Sequence, residues 1–190
     1  MKFNNETLRA AVEERLDDAA SAEATYGHIS NWDVSKVTDM SNLFSLQDFN
    51  EDISNWDVCN VKNMRSMFEG AGSFNQPIGT WDVSKVTNMY MMFAGANVFN
   101  QPIGNWDVSN VKSMRQMFET AISFNQPIDT WDVSNVTNMQ GMFMSWTTTA
   151  FNQPLGNWDV SNVKNMRSMF EGAESFNQDL SKWPEINSLV

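Results

Sequence analysis

Six aspartates stand at nearly even intervals along the chain: Asp33, Asp57, Asp82, Asp107, Asp132 and Asp159. Each lies between a tryptophan and a valine, so whatever packs one copy against the next also sets carboxylate beside carboxylate. At ordinary strand spacing such charges lie about 5 Å apart and repel by roughly 1 kcal/mol even in water. A row of cations such as Ca²⁺ would relieve them, but one carboxylate per copy is far short of the roughly six to eight oxygens that Ca²⁺ takes. Amides and hydroxyls of the following turn relieve them as well, through Asx turns onto the Val-Ser that follows. The second reading is the stronger, and no metal or other cofactor is expected.

Two further rows carry positive charge. After the second valine of each copy the residue alternates Thr38, Lys62, Thr87, Lys112, Thr137, Lys164. Three places later arginine occurs only in the lysine copies, at Arg65, Arg115 and Arg167, and Glu69, Glu119 and Glu171 follow four residues on. On a helix that spacing pairs Arg with Glu for a few tenths of a kcal/mol. The residue before tryptophan alternates too (Asn55, Thr80, Asn105, Thr130, Asn157), so the unit is a pair of copies. The alternation fits duplication of a two-copy ancestor. It also fits a basic stripe, Arg65, Arg115 and Arg167, set on an acidic body for an acidic partner.

Other chemistry finds little footing. The single histidine, His28, reads as a junction residue, and the single cysteine, Cys59, stands where other copies carry Ser35, Ser84, Ser109, Ser134 and Ser161. Nucleophile-base pairs, phosphate loops and metal-spaced Cys/His clusters do not appear, so an enzyme is not expected. Trp146 with Thr147, Thr148 and Thr149 marks an insertion in the fifth copy. It is either a contact site, with Trp146, Thr147 and Thr148 as candidates, or a neutral insertion filled by its own tryptophan.

The elements that carry these residues follow from one repeat. Trp-Asp-Val recurs at Trp32, Trp56, Trp81, Trp106, Trp131 and Trp158, and Trp183 falls in step before Pro184; the spacings are 24, 25, 25, 25, 27 and 25 residues. A fixed period of this size marks a repeat architecture in which each unit buries its apolar face against its neighbours. In the fourth copy Ile103, Trp106 and Val108 alternate with polar Asp107 as a strand does. Val111, Met114, Met117, Phe118 and Ala121 then follow at helical intervals, with glycine closing the segment elsewhere at Gly70, Gly95 and Gly172. The expectation is an α/β solenoid of six units, each a short strand and a short helix, with a parallel sheet on one face. Trp, Val, Met, Phe and Ile should form inward ladders. Asn50, Asn75, Asn100, Asn125, Asn152 and Asn177 should form a buried amide ladder.

Residues 6–22 place Leu8, Ala11, Val12, Leu16 and Ala19 on one helical stripe, which predicts a capping helix over the open end of the stack. The expected organisation is an N-terminal cap over 1–28, six repeats over 29–180 and a C-terminal cap over 181–190. Pro184 ends the ladder there, because proline cannot donate to it.

The string Phe-Asn-Gln-Pro-Ile-Gly-x-Trp-Asp-Val-Ser-x-Val, followed by Asn-Met-x-x-Met-Phe, closely resembles the BspA-like family of leucine-rich-repeat surface proteins, the DUF285 repeat. The resemblance covers residues 29 to about 183. It implies a leucine-rich-repeat-like fold, a cell-surface or secreted location and an adhesive role, with no site residues to carry over.

Charge limits the partners. With 23 acidic against 12 basic residues the net charge is −11, which repels nucleic acid and anionic membrane surfaces. Neither is expected as a partner. No apolar stretch is long enough for a membrane span, and Met1 to Asn5 leads into a polar amphipathic segment without the regions of a secretory signal. A non-catalytic module that binds a protein partner is expected, as a monomer with self-association open. The alternative is a structural spacer or self-assembling element.

Overall fold

The computed structural model describes residues 1–183 of the chain. The first helix, α1 (Asn5–Asp17), begins at a reciprocal cap. The Asn4 side chain accepts from the Glu6 and Thr7 amides, and the Thr7 hydroxyl accepts from the Asn4 amide. The single helix expected over 6–22 is broken at Asp18. That residue takes an extended conformation (φ −139, ψ 92), and its carboxylate accepts from Ala20 and Ser21 to start α2 (Ala19–Tyr26). A short acidic side chain that competes for nearby amides ends one helix and begins the next. Leu8, Ala11 and Val12 are buried as the stripe requires, but Leu16, just before the break, and Ala19, just after it, are exposed, and Ala22 takes the next inward place.

Helix α1 lies over the first repeat. The Asn5 side chain donates to the Thr38 hydroxyl and accepts from the Thr38 and Asp39 amides; Arg9 donates to the Ser41 carbonyl at 2.6 Å. A 3₁₀ turn, Ile29–Asn31, then leads into Trp32.

From Trp32 onward the described residues contain no helix and no strand longer than one bridged residue, so the expected solenoid of strand-plus-helix units on a parallel sheet is not formed. The copies do run parallel. Asp39, Asn63, Asn88, Ser113, Asn138 and Asn165 pair in succession as single bridges. Each copy is a coil of tight turns stacked on the next.

The fourth copy shows why. Met114, Gln116, Phe118 and Thr120 donate their amides to Asn138, Gln140, Met142 and Met144 in the following copy, at 2.8–2.9 Å. Between them, Met117, Glu119 and Ala121 donate three residues back, to Met114, Gln116 and Phe118, at 3.1–3.2 Å. A helix spends every amide on itself; here every second one is spent on the neighbour. The alternation requires left-handed backbone at Gln116 (φ 54) and Thr120 (φ 50), matched in the two preceding copies by Met91 and Gly95 and by Ser66 and Gly70. The glycines expected to close helices therefore serve turns. At Gly172 a Cβ would also run into the Ser145 carbonyl oxygen of the preceding coil.

Turns three residues long return the chain inward at intervals close to the helical one, so Val111, Met114, Met117, Phe118 and Ala121 are buried without a helix. Trp and Val of each Trp-Asp-Val also face inward, with aspartate outward. One phenylalanine column (Phe68, Phe93, Phe118, Phe143) advances 5.7 Å per copy, and a second (Phe74, Phe99, Phe124) stacks against it at 3.8–4.1 Å. The indole N–H of Trp81, Trp106, Trp131 and Trp158 donates to Ile53, Ile78, Ile103 and Ile128 in the copy before, at 3.0–3.3 Å. A buried indole thus has its partner. The amide ladder forms as well, but at the edge of the coils rather than buried: Asn50 is exposed and the later asparagines are half-buried. Asn50, Asn75, Asn100 and Asn125 accept from the amides of Asn75, Asn100, Asn125 and Asn152, and Gln76, Gln101, Gln126 and Gln153 donate to the same oxygens. The C-terminal cap expected over 181–190 lies outside the described residues beyond Trp183.

Candidate functional site

The aspartate row is exposed and satisfied from within. Asp33, Asp57, Asp82, Asp107, Asp132 and Asp159 each accept from the amide two residues on, at 3.0–3.2 Å, which is the Asx turn expected from the sequence. At Asp82, Asp132 and Asp159 the Ser84, Ser134 and Ser161 hydroxyls and amides hold the carboxyl below its ordinary range. Hydrogen bonds to the charged form offset the crowding.

Cys59 makes the same turn onto Asp57. That carboxylate raises the thiol pKa, through its hydrogen bond first, which makes the sulfur less of a thiolate. His28 bonds Ser30 beside the 3₁₀ turn, a junction role.

The basic residues are arranged differently. Arg65 and Arg115 lie over the ring of Tyr90, their guanidinium carbons 5.0 Å and 5.2 Å from its centroid. Tyr90 sits at the arginine position of a threonine copy, so the row reads Arg65, Tyr90, Arg115 across three coils. Sequence reasoning did not single it out; the signal was its departure from the pattern of that row. The ring face attracts each cation and separates two like charges. Around them Thr87, Asn88, Lys112, Ser113 and Asn138 complete a trough of about 380 Å³ without a carboxylate in its lining. A second trough beside it, about 590 Å³, is lined by Ser35, Lys36, Thr38, Asn60, Lys62 and Lys85, again without an acid.

The expected Arg-Glu pairs are not made. Among the described residues every ion pair lies in or against the N-terminal cap: Lys2 with Asp33, Arg9 with Asp39, and Arg15 with Glu23 and Glu51. Without a helix the i, i+4 relation does not bring Arg65 onto Glu69, and the left-handed residue after each arginine (Ser66, Gln116, Ser168) redirects the chain. Lysines find neutral partners instead: Lys85 donates to the Asn60 side-chain oxygen at 2.7 Å and Lys112 to that of Asn135 at 3.1 Å. The threonine copies answer with hydroxyls, Thr87 to the Lys62 carbonyl and Thr137 to the Lys112 carbonyl. The two-copy period is thus built into the contacts between coils.

Arg167 does not join Arg65 and Arg115. Gln140 stands in the row between, and Arg167 lines an apolar cleft of about 380 Å³ with Met166, Phe170 and Trp183 at the far end of the stack. The fifth-copy insertion stands apart as well. Phe143 and Phe151 keep their columns, 4.1 Å apart, while Ser145 ties the bulge by donating to the Thr147 carbonyl and accepting from its amide. Trp146 is 75% exposed, with Thr147 and Thr148 exposed beside it, so the tryptophan does not fill its own insertion. Among the described residues no hydrogen bond, ion pair or ring contact links Trp146 to the three arginines.

Stacked turn-built coils, an interior of aromatic columns and a basic face whose cations make no ion pair among the described residues define a repeat protein. The family described as "Mycoplasma protein of unknown function, DUF285" matches residues 13–121 and again 99–189. The chain belongs to this family. No curated protein and no solved structure matches it. No helix among the described residues is long and apolar enough to cross a membrane.

Proposed function

We propose that this protein is a non-catalytic binding module that takes an acidic protein partner along the face carrying Arg65, Tyr90 and Arg115. One observation carries the reading. Among the described residues, the repeat lysines and arginines make no ion pair in a chain with nearly twice as many acidic as basic groups, whereas the cap arginines are paired. Cations that contribute little to the fold are available to a partner, and clustered unpaired charge steers association with its complement. The resemblance to BspA-like surface proteins favours an adhesive setting for such a module. Exposed Trp146 supplies a second contact, a rigid aromatic of the kind that anchors interfaces.

Titration with poly-L-glutamate at low salt tests the reading. Binding should weaken steeply as salt rises and disappear when Arg65, Arg115 and Arg167 are all changed to glutamate. An unaltered chain that ignores the polyanion would sink it, and so would a triple variant that binds as well as the parent.

A further inference from the structure

The trough does more than offer positive charge; it offers two guanidiniums at a fixed separation. We infer that the Arg65-Tyr90-Arg115 array reads two carboxylates three residues apart on a polyproline-type stretch of the partner. This rests on the proposed acidic partner and specifies its chemistry.

Both cations lie against one ring, 5.0 and 5.2 Å from its centroid, so their separation is set by an aromatic spacer rather than by two flexible side chains acting alone. Arg65 and Arg115 stand two copies apart on one row, and the phenylalanine column advances 5.7 Å per copy, so the two cations lie about 10 Å apart, the most that their ring distances allow. Three residues of a polyproline-type chain advance about 9 Å while returning to the same edge. A β-strand returns to one face after about 6.6 Å, which is too short to reach both guanidiniums. A helix reaches about 10 Å only after seven residues, and its backbone groups are already bonded to one another.

The lining of the trough distinguishes these cases further. Asn88 and Asn138 have their side-chain oxygens occupied by the Tyr90 and Gln140 amides, at 3.0 Å each. Their NH₂ groups are left to donate, and a polyproline-type backbone keeps its carbonyls free to accept. Beside these amides stands the half-buried Arg115. A carboxylate would pair with the outer nitrogens of its guanidinium. Lys112, on the same wall, adds charge without fixing spacing.

The experiment uses the ¹⁵N-labelled chain and end-capped synthetic peptides followed by chemical-shift titration. Each peptide carries two glutamates in a proline background, separated by two, three or four positions. A fourth, alanine-rich and helical, carries them seven apart. The three-position peptide should bind about tenfold more tightly than the others, the worth of one well-placed charge-assisted hydrogen bond. Tyr90→Phe should keep that preference, and Tyr90→Ser should flatten it while leaving poly-L-glutamate bound. Equal affinity across the series, lost in the Arg65→Glu, Arg115→Glu double variant, would overturn the spacing inference and leave the acidic-partner reading standing. A helical peptide that binds best would overturn it as well. Failure of every peptide together with poly-L-glutamate would remove both.

Discussion

The N-terminal cap and the repeat face use the same residue type in opposite ways. In the cap, Arg15 is nearly enclosed, donates to Glu51 through two nitrogens and to the Ala19 carbonyl, and lies 3.5 Å from Glu23. Its pKa is raised, first by the Glu51 hydrogen bond. On the repeat face, Arg65 has one aromatic ring and no acid among the described residues. Charge in the first region closes the end of a stack; in the second it makes no ion pair among the described residues, which is what the proposed binding role needs. The distinction separates cations that build the fold from cations that use it, and it can be broken at several scales.

The interior common to both regions sets the largest effect. Phe93 is fully buried and touches Phe68, Phe99, Trp106 and Phe118, so Phe93→Ala should cost about 3–5 kcal/mol in urea denaturation. A loss below about 1 kcal/mol would mean that the columns relax around the cavity and do not act as a continuous core.

Next comes the cap. Arg15→Ala leaves the Glu51 carboxylate, which is two-thirds covered, without its partner, and should destabilise by about 2–3 kcal/mol. Arg65→Ala should change stability by less than about 1 kcal/mol by the same measurement, because it breaks no ion pair and gives up only an exposed contact with the Tyr90 ring. If the two variants lose equally, the repeat face is structural and the comparison fails.

The same contrast marks what was legible in the sequence. The period, the inward Trp, Val, Met and Phe positions, the Asx turns and the asparagine ladder could all be read, because each depends on residue type at a fixed offset and the offset repeats six times. The helix within each copy could not be told from what forms, since Val111, Met114, Met117 and Phe118 face inward equally well along three-residue turns. Only the hydrogen-bond partner of alternate amides separates the two cases, and a neighbour one coil away is not visible in a local pattern. The Arg-Glu pairs failed with the helix. Tyr90 escaped notice for a different reason: one substitution in a regular row reads as drift until Arg65 and Arg115 are found on its ring. At the cap, the apolar stripe runs on past Asp18, and only its carboxylate bonds to Ala20 and Ser21 show that the helix splits there.

The aspartates supply the smallest effect and the finest version of the comparison. In the repeats, Asp82, Asp132 and Asp159 are held below their ordinary pKa by serine hydrogen bonds alone or chiefly. In the cap contact, burial works to raise Asp39, but the Ser41 hydroxyl and amide, the Asn63 amide and the Arg9 charge outweigh it. A carboxyl with a depressed folded pKa adds stability that is present above the unfolded value, near pH 4, and lost as pH falls through the folded value. Acid unfolding should therefore begin below about pH 4 in the parent chain. Ser84→Ala and Ser134→Ala together should flatten that dependence slightly, because the hydroxyl donors to Asp82 and Asp132 go while the backbone amides stay. Arg9→Ala should flatten it in the cap as well, and should do so less at high salt, where the pair it removes is already screened. The serine variants should be indifferent to salt. Identical salt dependence in both sets would mean that the repeat aspartates answer to long-range charge rather than to their own turns.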